Sequence, residues 1–236
     1  MKSNREKRGQ FVIIAVMLTA IMIVSIGAIM HEAVTYYRHE PWEEYSAIIG
    51  DIEINSRKTV ELSLASYTKN LANNPNAIVQ DKSILNNTLK EWENDLTKIY
   101  PNNGIVLTHS LIGAGIENPA WNTSTSTSKA SAKFKLDIRS IGLEGYDFTI
   151  VTSLSLKVYS STNVTSTTNE ILVIVTSETG LPVSDLNEGN FKIENATSVS
   201  VSPNFEILGY TILYTGPLHP HVEVRDQRGI YVIGLA

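Results

Sequence analysis

Residues 133–158 read KFKLDIRSIGLEGYDFTIVTSLSLKV, and their period decides the fold of the C-terminal half. Phe134, Leu136 and Ile138 alternate with Lys133, Lys135, Asp137 and Arg139, which is the two-residue period of a half-buried strand. After a turn at 142–145 the even positions Phe148, Ile150, Leu154, Leu156 and Val158 stay in phase, with Thr152 the one polar exception. The stretch predicts a hairpin with a long second strand.

Toward the C terminus, Ile171-Leu172-Val173-Ile174-Val175 predicts a strand covered on both faces. Gly180-Leu181-Pro182-Val183 is turn chemistry. Strands are then expected at Phe191/Ile193, Val199/Val201, 205–214, Val222/Val224 and 230–233, with Asp226-Gln227-Arg228-Gly229 as the last turn. Short strands at this spacing predict an antiparallel β-sandwich over residues 104–236. Two Ser/Thr-rich segments, 121–131 (WNTSTSTSKAS) and 160–168, have no apolar phase and are expected to be exposed loops.

Toward the N terminus the period lengthens to that of a helix. Leu85, Leu89, Trp92, Leu96 and Ile99 form an apolar stripe, predicting a helix over 81–99 that stops at Tyr100-Pro101-Asn102-Asn103-Gly104. Asn73-Asn74-Pro75-Asn76 is a turn. Before it, 42–71 predicts a helix with a patchier face of Tyr45, Ile48, Ile49, Ile52, Thr59, Leu64 and Tyr67, and Pro41 predicts a kink or break at 38–41. The two helices should form a hairpin that cannot bury its stripes alone. It must pack on the β region or on neighbouring subunits.

Residues 11–30, FVIIAVMLTAIMIVSIGAIM, carry no charge. Twenty helical residues span about 30 Å, the thickness of a hydrocarbon core. Lys2, Arg5, Lys7 and Arg8 precede this run against Glu6 alone, so the positive-inside bias keeps the N terminus cytoplasmic and sends residues 31–236 outside. Tyr36 and Tyr37 lie where an interfacial aromatic belt would. The expected organisation is an α+β protein: a basic head at 1–10, a transmembrane helix at 11–30, an extracytoplasmic helical region at 31–103 and a β-rich head at 104–236.

Composition narrows the function. The chain has 236 residues, a formal net charge of −5, 42% hydrophobic and 18% charged residues, and no cysteine. An acidic balance gives no footprint for nucleic acid, and without thiols there is no disulfide framework, thiolate metal site or cysteine nucleophile. G-x-S-x-G, H-E-x-x-H, Walker and EF-hand patterns are absent from the sequence. Ile112-Gly113-Ala114-Gly115-Ile116 has neither a third glycine nor a strand–helix context, and reads as a turn. His219 and His221 could start a metal site on one strand face, but no third ligand accompanies them, so a solvated strand end is expected. Asp185, Asn187, Glu188 and Asn190 offer oxygen ligands for calcium, yet are equally the residues of a polar turn. The pairs Glu43/Glu44 and Glu91/Glu93 read as solvated helix faces. No catalytic constellation, metal or cofactor is expected. Four N-x-[ST] sequons, at Asn86, Asn122, Asn163 and Asn195, all lie on the outer side of this topology.

Lys7-Arg8-Gly9-Gln10, followed at once by an apolar helix, resembles the class III signal peptide of archaeal type IV pilin-like proteins. The resemblance covers residues 1–30. It implies cleavage between Gly9 and Gln10 by a class III signal peptidase, and retention of the apolar segment as an assembly helix that meets identical or related subunits. Ile14 stands at the fifth mature position, where many pilins place Glu. Residues 171–236, with Gly180-Leu181-Pro182-Val183, Asn190-Phe191 and Gly209-Tyr210-Thr211, resemble the Ig-like modules of prokaryotic surface proteins, which bind, space or stack. Three functional classes stand open, the least favoured being an extracytoplasmic enzyme or sensor, for which no catalytic constellation converges; the other two lead. One is a pilin-like subunit of an archaeal surface filament. The other is an uncleaved single-pass surface protein whose Ig-like head binds an envelope partner or extracellular ligand. Conventional signal cleavage near Ser25-Ile26-Gly27 is a third processing route.

Overall fold

The computed structural model describes residues 3–74, 83–117, 119–159, 161–165 and 167–236, with the side chains of 3–14 and 33–44 left out. The turn residues Pro75 and Asn76, the first two residues expected in the second helix, and Ser160 and Ser166 of the second Ser/Thr-rich segment lie outside the described residues. The chain divides into two bodies, Met1–Ile52 and Glu53–Ala236. It is an α+β protein with an apolar N-terminal helix and C-terminal antiparallel sheets.

Helix α1 (Ser3–Asn73) supplies the whole described part of the first body and the first segment of the second. It continues through Pro41, so of the kink or break expected at 38–41 the break does not occur. An interior proline removes one N–H and crowds one carbonyl. The turns on either side keep their hydrogen bonds, so the helix need not end there.

Among the described residues of the second body, ten strands follow helix α2 (Ser83–Ile99). They are β1 (Ile105–Ile116), β2 (Thr125–Ile138), β3 (Leu143–Val158), β4 (Thr162–Asn163), β5 (Asn169–Ser177), β6 (Phe191–Ile193), β7 (Ser198–Asn204), β8 (Gly209–Thr215), β9 (His221–Arg225) and β10 (Tyr231–Leu235). One sheet has the order β1-β2-β3-β5-β8-β7, with β4 pairing β5, and the other the order β10-β9-β6. Every pairing is antiparallel. The long hairpin legible in the sequence is β2–β3, in which Phe134 faces Phe148 and their rings stack at 5.0 Å. Along β3 the buried residues are Ile150, Thr152, Leu154, Leu156 and Val158, so the phase runs unbroken through Thr152.

The 121–131 segment is corrected most. Thr125–Ser131 is not an exposed loop but the first half of β2, with Ser126, Ser128, Ala130 and Ala132 fully buried on its inner face. Small side chains there let β10 come close. The Ser128 hydroxyl donates to the Tyr231 carbonyl at 2.7 Å and accepts from Trp121 Nε1 at 2.9 Å, and that of Ser126 donates to the Thr123 carbonyl at 3.0 Å. Satisfied hydroxyls are cheap to bury, which is why a Ser/Thr run can serve as a core strand. Across from it Gly234 of β10 has no room for a side chain, since a methyl would stand 2.7 Å from Val158 Cγ2 and 3.0 Å from Leu156 Cδ2.

Other boundaries shift for local reasons. Ile112–Ile116 is part of β1 rather than a free turn. Gly113 (φ 62°) and Gly115 (φ 73°) take positive φ and put a register irregularity between Leu111 and Ile116. In β5, Ile171, Val173 and Val175 are buried while Leu172 and Ile174 are only half-buried, so one face of that strand is incompletely covered. β8 starts at Gly209, not 205. Asn204 Oδ1 accepts from Glu206 N at 3.1 Å and folds the turn, leaving Phe205 85% exposed.

Helical segments pack on these sheets. Within the second body α1 buries Val60, Leu64 and Tyr67 together with Ser56, Ser63 and Thr68. Ser63 and Thr68 return their hydroxyls to the carbonyls of Thr59 and Leu64, both at 2.8 Å. Thr68 also accepts from Tyr231 N of β10 at 3.1 Å, and Ser56 accepts from Trp92 Nε1 of α2 at 3.0 Å. The α2 stripe buries Leu85, Leu89 and Leu96 and leaves Ile99, at the helix end, exposed.

Gly209 tests the sheet register. A methyl added there would fall on the Val173 carbonyl of the paired strand, whereas one added at Gly180 (φ 75°) meets no atom within 4 Å. Gly209→Ala should lower the unfolding free energy by about 2–4 kcal/mol, and Gly180→Ala by only about 1 kcal/mol, as read from urea denaturation followed by circular dichroism.

Candidate functional site

The feature with the plainest chemical demand is in the first body. Residues Ala15–Glu32 of α1 form a span long and apolar enough to cross a membrane by length and composition, and none of it is buried within the protein. Val16, Ile23, Val24 and Ile29 are each more than 60% exposed. Eighteen helical residues cover about 27 Å, close to a hydrocarbon core. The Thr19 hydroxyl is satisfied inside the helix by the Ala15 carbonyl at 2.8 Å, so it adds no unpaired polar group to the apolar surface. Gly9 and Gln10 lie in α1, and their side chains are outside the described residues.

In the second body the densest polar cluster surrounds Arg228, in the turn between β9 and β10. Its Nε donates to Asp226 Oδ2 at 2.7 Å, Nη1 to Glu178 Oε2 at 2.8 Å and to Thr152 Oγ1 at 3.1 Å, and Nη2 to the Ser153 carbonyl at 3.0 Å. Glu61 of α1 lies 3.8 Å from Nη1, and Arg57 stands 4.0 Å from Glu178. Asp226 uses its other oxygen to accept from Ile230 N at 2.9 Å and fix the turn. Thr152, the polar exception in the β3 phase, is one of the acceptors of this guanidinium.

Charge states follow from this packing. Burial pulls against the Arg228 charge, but hydrogen bonds to Glu178 and Asp226 outweigh it and hold the guanidinium ionised. Burial would raise Glu178, yet the Arg228 hydrogen bond, backbone hydrogen bonds and the nearby positive charge together bring it below its ordinary value. Glu61 goes the other way: burial raises it, and the more distant Arg228 offsets only part of that. The cluster is a clasp joining α1, β3, the segment after β5 and the last turn. Among the described residues it contains no nucleophile aimed into a cavity.

Two further groups involve residues singled out in the sequence. His109 of β1, with its side chain 5% exposed, has Nδ1 2.6 Å from Glu93 Oε1 and Nε2 3.1 Å from Asn86 Oδ1, fastening α2 to β1. The sequon Asn86 is thereby engaged within the body. Asn122, Asn163 and Asn195 are exposed, Asn122 and Asn195 with positive φ. Asn122 and Asn195 both line a cleft of about 470 Å³ beside β6, β9 and β10, together with Lys192, Glu194, His221 and Glu223.

The remaining candidates resolve into local structure. His221 Nδ1 is hydrogen-bonded to Glu194, and among the described residues no three His, Asp or Glu side chains converge as a metal site. Asn187 Oδ1 accepts from Gly189 N at 2.9 Å, Asn190 Oδ1 accepts from Asn187 N at 2.8 Å, and Asn190 Nδ2 donates to the Arg225 carbonyl at 2.8 Å. These side chains build a capped 3-10 turn ahead of β6. Glu93 belongs to the His109 contact rather than to a solvated face. Sequence reasoning missed the partners of His109 and Arg228, because residues 16 and 76 positions apart meet there. The trace of the Arg228 cluster in the sequence was Thr152, the polar residue within the apolar phase of β3.

Comparison with protein-family models, with curated proteins and with solved structures finds no match for this chain.

The clasp gives a pH prediction. In the folded state Glu178 binds its proton less tightly than in the unfolded chain, so its contribution is present above the ordinary value of 4.5 and is lost as pH falls below it. Glu178→Gln should be less stable than the parent near neutrality, with the gap narrowing in acid. Arg228→Met, which leaves both carboxylates without their cation, should cost about 2 kcal/mol at neutral pH. That is below the ~3–5 kcal/mol of a fully buried pair because the guanidinium keeps some solvent. Urea unfolding at a series of pH values measures both.

Proposed function

We propose that this chain is a membrane-anchored structural protein of the cell surface, a pilin-like subunit whose apolar helix first anchors the precursor and then packs against the same helix of neighbouring subunits. The observation that carries the reading is Ala15–Glu32, an apolar helical surface that no described part of its own chain covers. Such a surface calls for hydrocarbon or other apolar helices around it. Ala15, Ala20, Ser25, Gly27 and Ala28 are small, and a side chain at Gly27 would meet nothing within 4 Å, which favours close helix approach. The basic residues ahead of the span orient it with the N terminus cytoplasmic and the body outside. Cleavage between Gly9 and Gln10 removes that basic stub, which fixes the precursor N-in, and leaves an uncharged apolar rod that can exchange lipid for neighbouring helices.

The head is, in this proposal, an Ig-type β-sandwich. Its support is the strand order: β3-β5-β8-β7 against β10-β9-β6 matches the A-B-E-D and G-F-C sheets of that fold, with β1 and β2 added beyond the first strand. Its role is to pack and space on the outer surface, with exposed Asn122, Asn163 and Asn195 available to a glycosylating enzyme and Asn86 held by His109. A second reading, an uncleaved single-pass anchor whose head binds an envelope partner, draws on the cleft beside β6 and β9.

Processing separates the two. The intact mass of the protein from its native membrane should correspond to a chain starting at Gln10. Gly9→Val should block maturation and surface filaments while leaving the protein in the membrane. A parent chain whose intact mass still includes residues 1–9, with a Gly9→Val chain that localises and assembles like it, overturns the pilin reading in favour of the uncleaved anchor.

A further inference from the structure

The two sheets have several edges: the β5 side of β3 is free over Leu143–Ser153, where Glu144 and Asp147 are charged, and most of the others carry a shielding device. The edge of β10 is capped by backbone hydrogen bonds from Asn122 N to the Ile233 carbonyl at 3.0 Å and from Leu235 N to the Thr123 carbonyl at 3.1 Å. β6 is three residues long, β4 is two, and β1 carries a glycine-induced irregularity and has α2 packed against it. These are the usual devices that keep a sheet edge from recruiting another strand. β7 is seven residues long and its pairing with β8 runs without a bulge; Pro203 stands near its end, the 3-10 turn Glu188–Asn190 lies near it, and no further strand pairs with it among the described residues.

β7 ends the larger sheet and, among the described strands, pairs only with β8. Three side-chain hydrogen bonds run from it toward β8: Ser198 Oγ to Thr215 Oγ1, Ser202 Oγ to the Thr211 carbonyl and Asn204 Nδ2 to Thr211 Oγ1; Asn204 Oδ1 instead accepts from Glu206 N in the following turn. It reads Ser198-Val199-Ser200-Val201-Ser202-Pro203-Asn204, without a charge. Val199 and Val201 are half-buried on one face, and Ser198, Ser200 and Ser202 are exposed on the other.

We infer that β7 is a self-association edge, pairing antiparallel with β7 of a second copy about a two-fold axis through Ser200. The argument for this occupant is that Ser198–Ser202 is a palindrome. Turned about Ser200, it sets Val199 opposite the second copy's Val201, Ser198 opposite its Ser202, and Ser200 opposite itself. Every side chain then meets its own chemistry on its own face, as an isologous interface requires. The two half-buried valines gain cover from two more. Pro203, which cannot donate to a ladder, ends the pairing symmetrically on both sides and limits its register to this five-residue block. A foreign strand would also find donors and acceptors here, but nothing in β7 would select its sequence, whereas the palindrome selects a copy of itself. This inference does not depend on the pilin reading, since it concerns the second body only.

The cysteine-free sequence supplies a clean assay. Opposed residues of an antiparallel pair have Cα atoms about 4.5–5.5 Å apart, within disulfide range. Ser200→Cys in the purified full-length chain should therefore give a disulfide-linked homodimer under mild oxidation. Ser198→Cys or Ser202→Cys alone places its two thiols about 13 Å apart along the ladder and should trap at least tenfold less, while a mixture of these two variants should trap the mixed dimer. Equal trapping at all three positions, or no more at Ser200→Cys than at a Thr167→Cys control, means random collision and overturns the proposal. Capture of the Ser200→Cys chain by a different protein in cell extracts, without the homodimer, replaces the second copy with a heterologous strand and overturns it too.

A charge swap checks the register without relying on one substitution. On a Ser200→Cys background, Val199→Lys with Val201→Glu sets Lys against Glu across the two-fold axis and should keep most of the cross-linking. Val199→Lys with Val201→Lys loses the same apolar area but sets Lys against Lys, and should reduce cross-linking at least tenfold. Circular dichroism confirms that both variants are folded. Equal cross-linking in the two refutes the pairing even if Ser200→Cys dimerises.

Discussion

One guanidinium fixes the relation between segments that the rest of the second body requires. Arg228 reaches β3 through Thr152 and Ser153, the segment after β5 through Glu178, its own turn through Asp226, and α1 through the neighbouring Glu61. A planar fork with five donors suits this role, because it can satisfy several acceptors in fixed directions, where an ammonium acts as a point charge. Buried carboxylates near the sheet junction are acceptable only because this cation is there, and the cation keeps its charge only because they are. The opposed tendencies of Glu178 and Glu61 show the limit of the arrangement: one donor group neutralises the carboxylate it bonds and only partly compensates the one it approaches.

The parts of this fold that were legible in the sequence are those set by a local period. The β2–β3 hairpin, the α2 stripe and the turn at 226–229 all follow from spacings over a few residues, and they appear where the alternation places them. The parts that were not legible are set by meetings across long separations. A Ser/Thr run reads as a loop because its composition resembles solvent-exposed chain. It is a core strand because Tyr231 and Trp121 accept and supply the hydrogen bonds its hydroxyls need. Phe205 reads as a strand residue by hydrophobicity and is exposed because Asn204 folds a turn under it. Pro41 reads as a kink or break, and the helix continues because a local propensity was set against many regular hydrogen bonds.

For the candidate sites the same distinction holds. The apolar span is a property of consecutive residues and could be read directly. The fate of each sequon could not. Asn86 differs from Asn122, Asn163 and Asn195 by what β1 presents to it, and only the fold brings His109 and Glu93 alongside. The oxygen-rich stretch at 185–190 likewise shows that a list of ligand types is not a site. Its side chains are engaged in a capped turn and in holding β9.

The hydrogen bond from Tyr231 N to Thr68 Oγ1 joins residues 163 positions apart in the chain. At about 5–20 residues per second, a ribosome needs roughly 10–30 s to make β10 after the α1 segment it covers. During that interval Thr68 lacks the backbone donor that Tyr231 supplies, and β2 lacks the carbonyl that accepts from Ser128. The second body therefore cannot close progressively from its N-terminal side. The bond between its first helix and its last strand forms only after the whole body has been made.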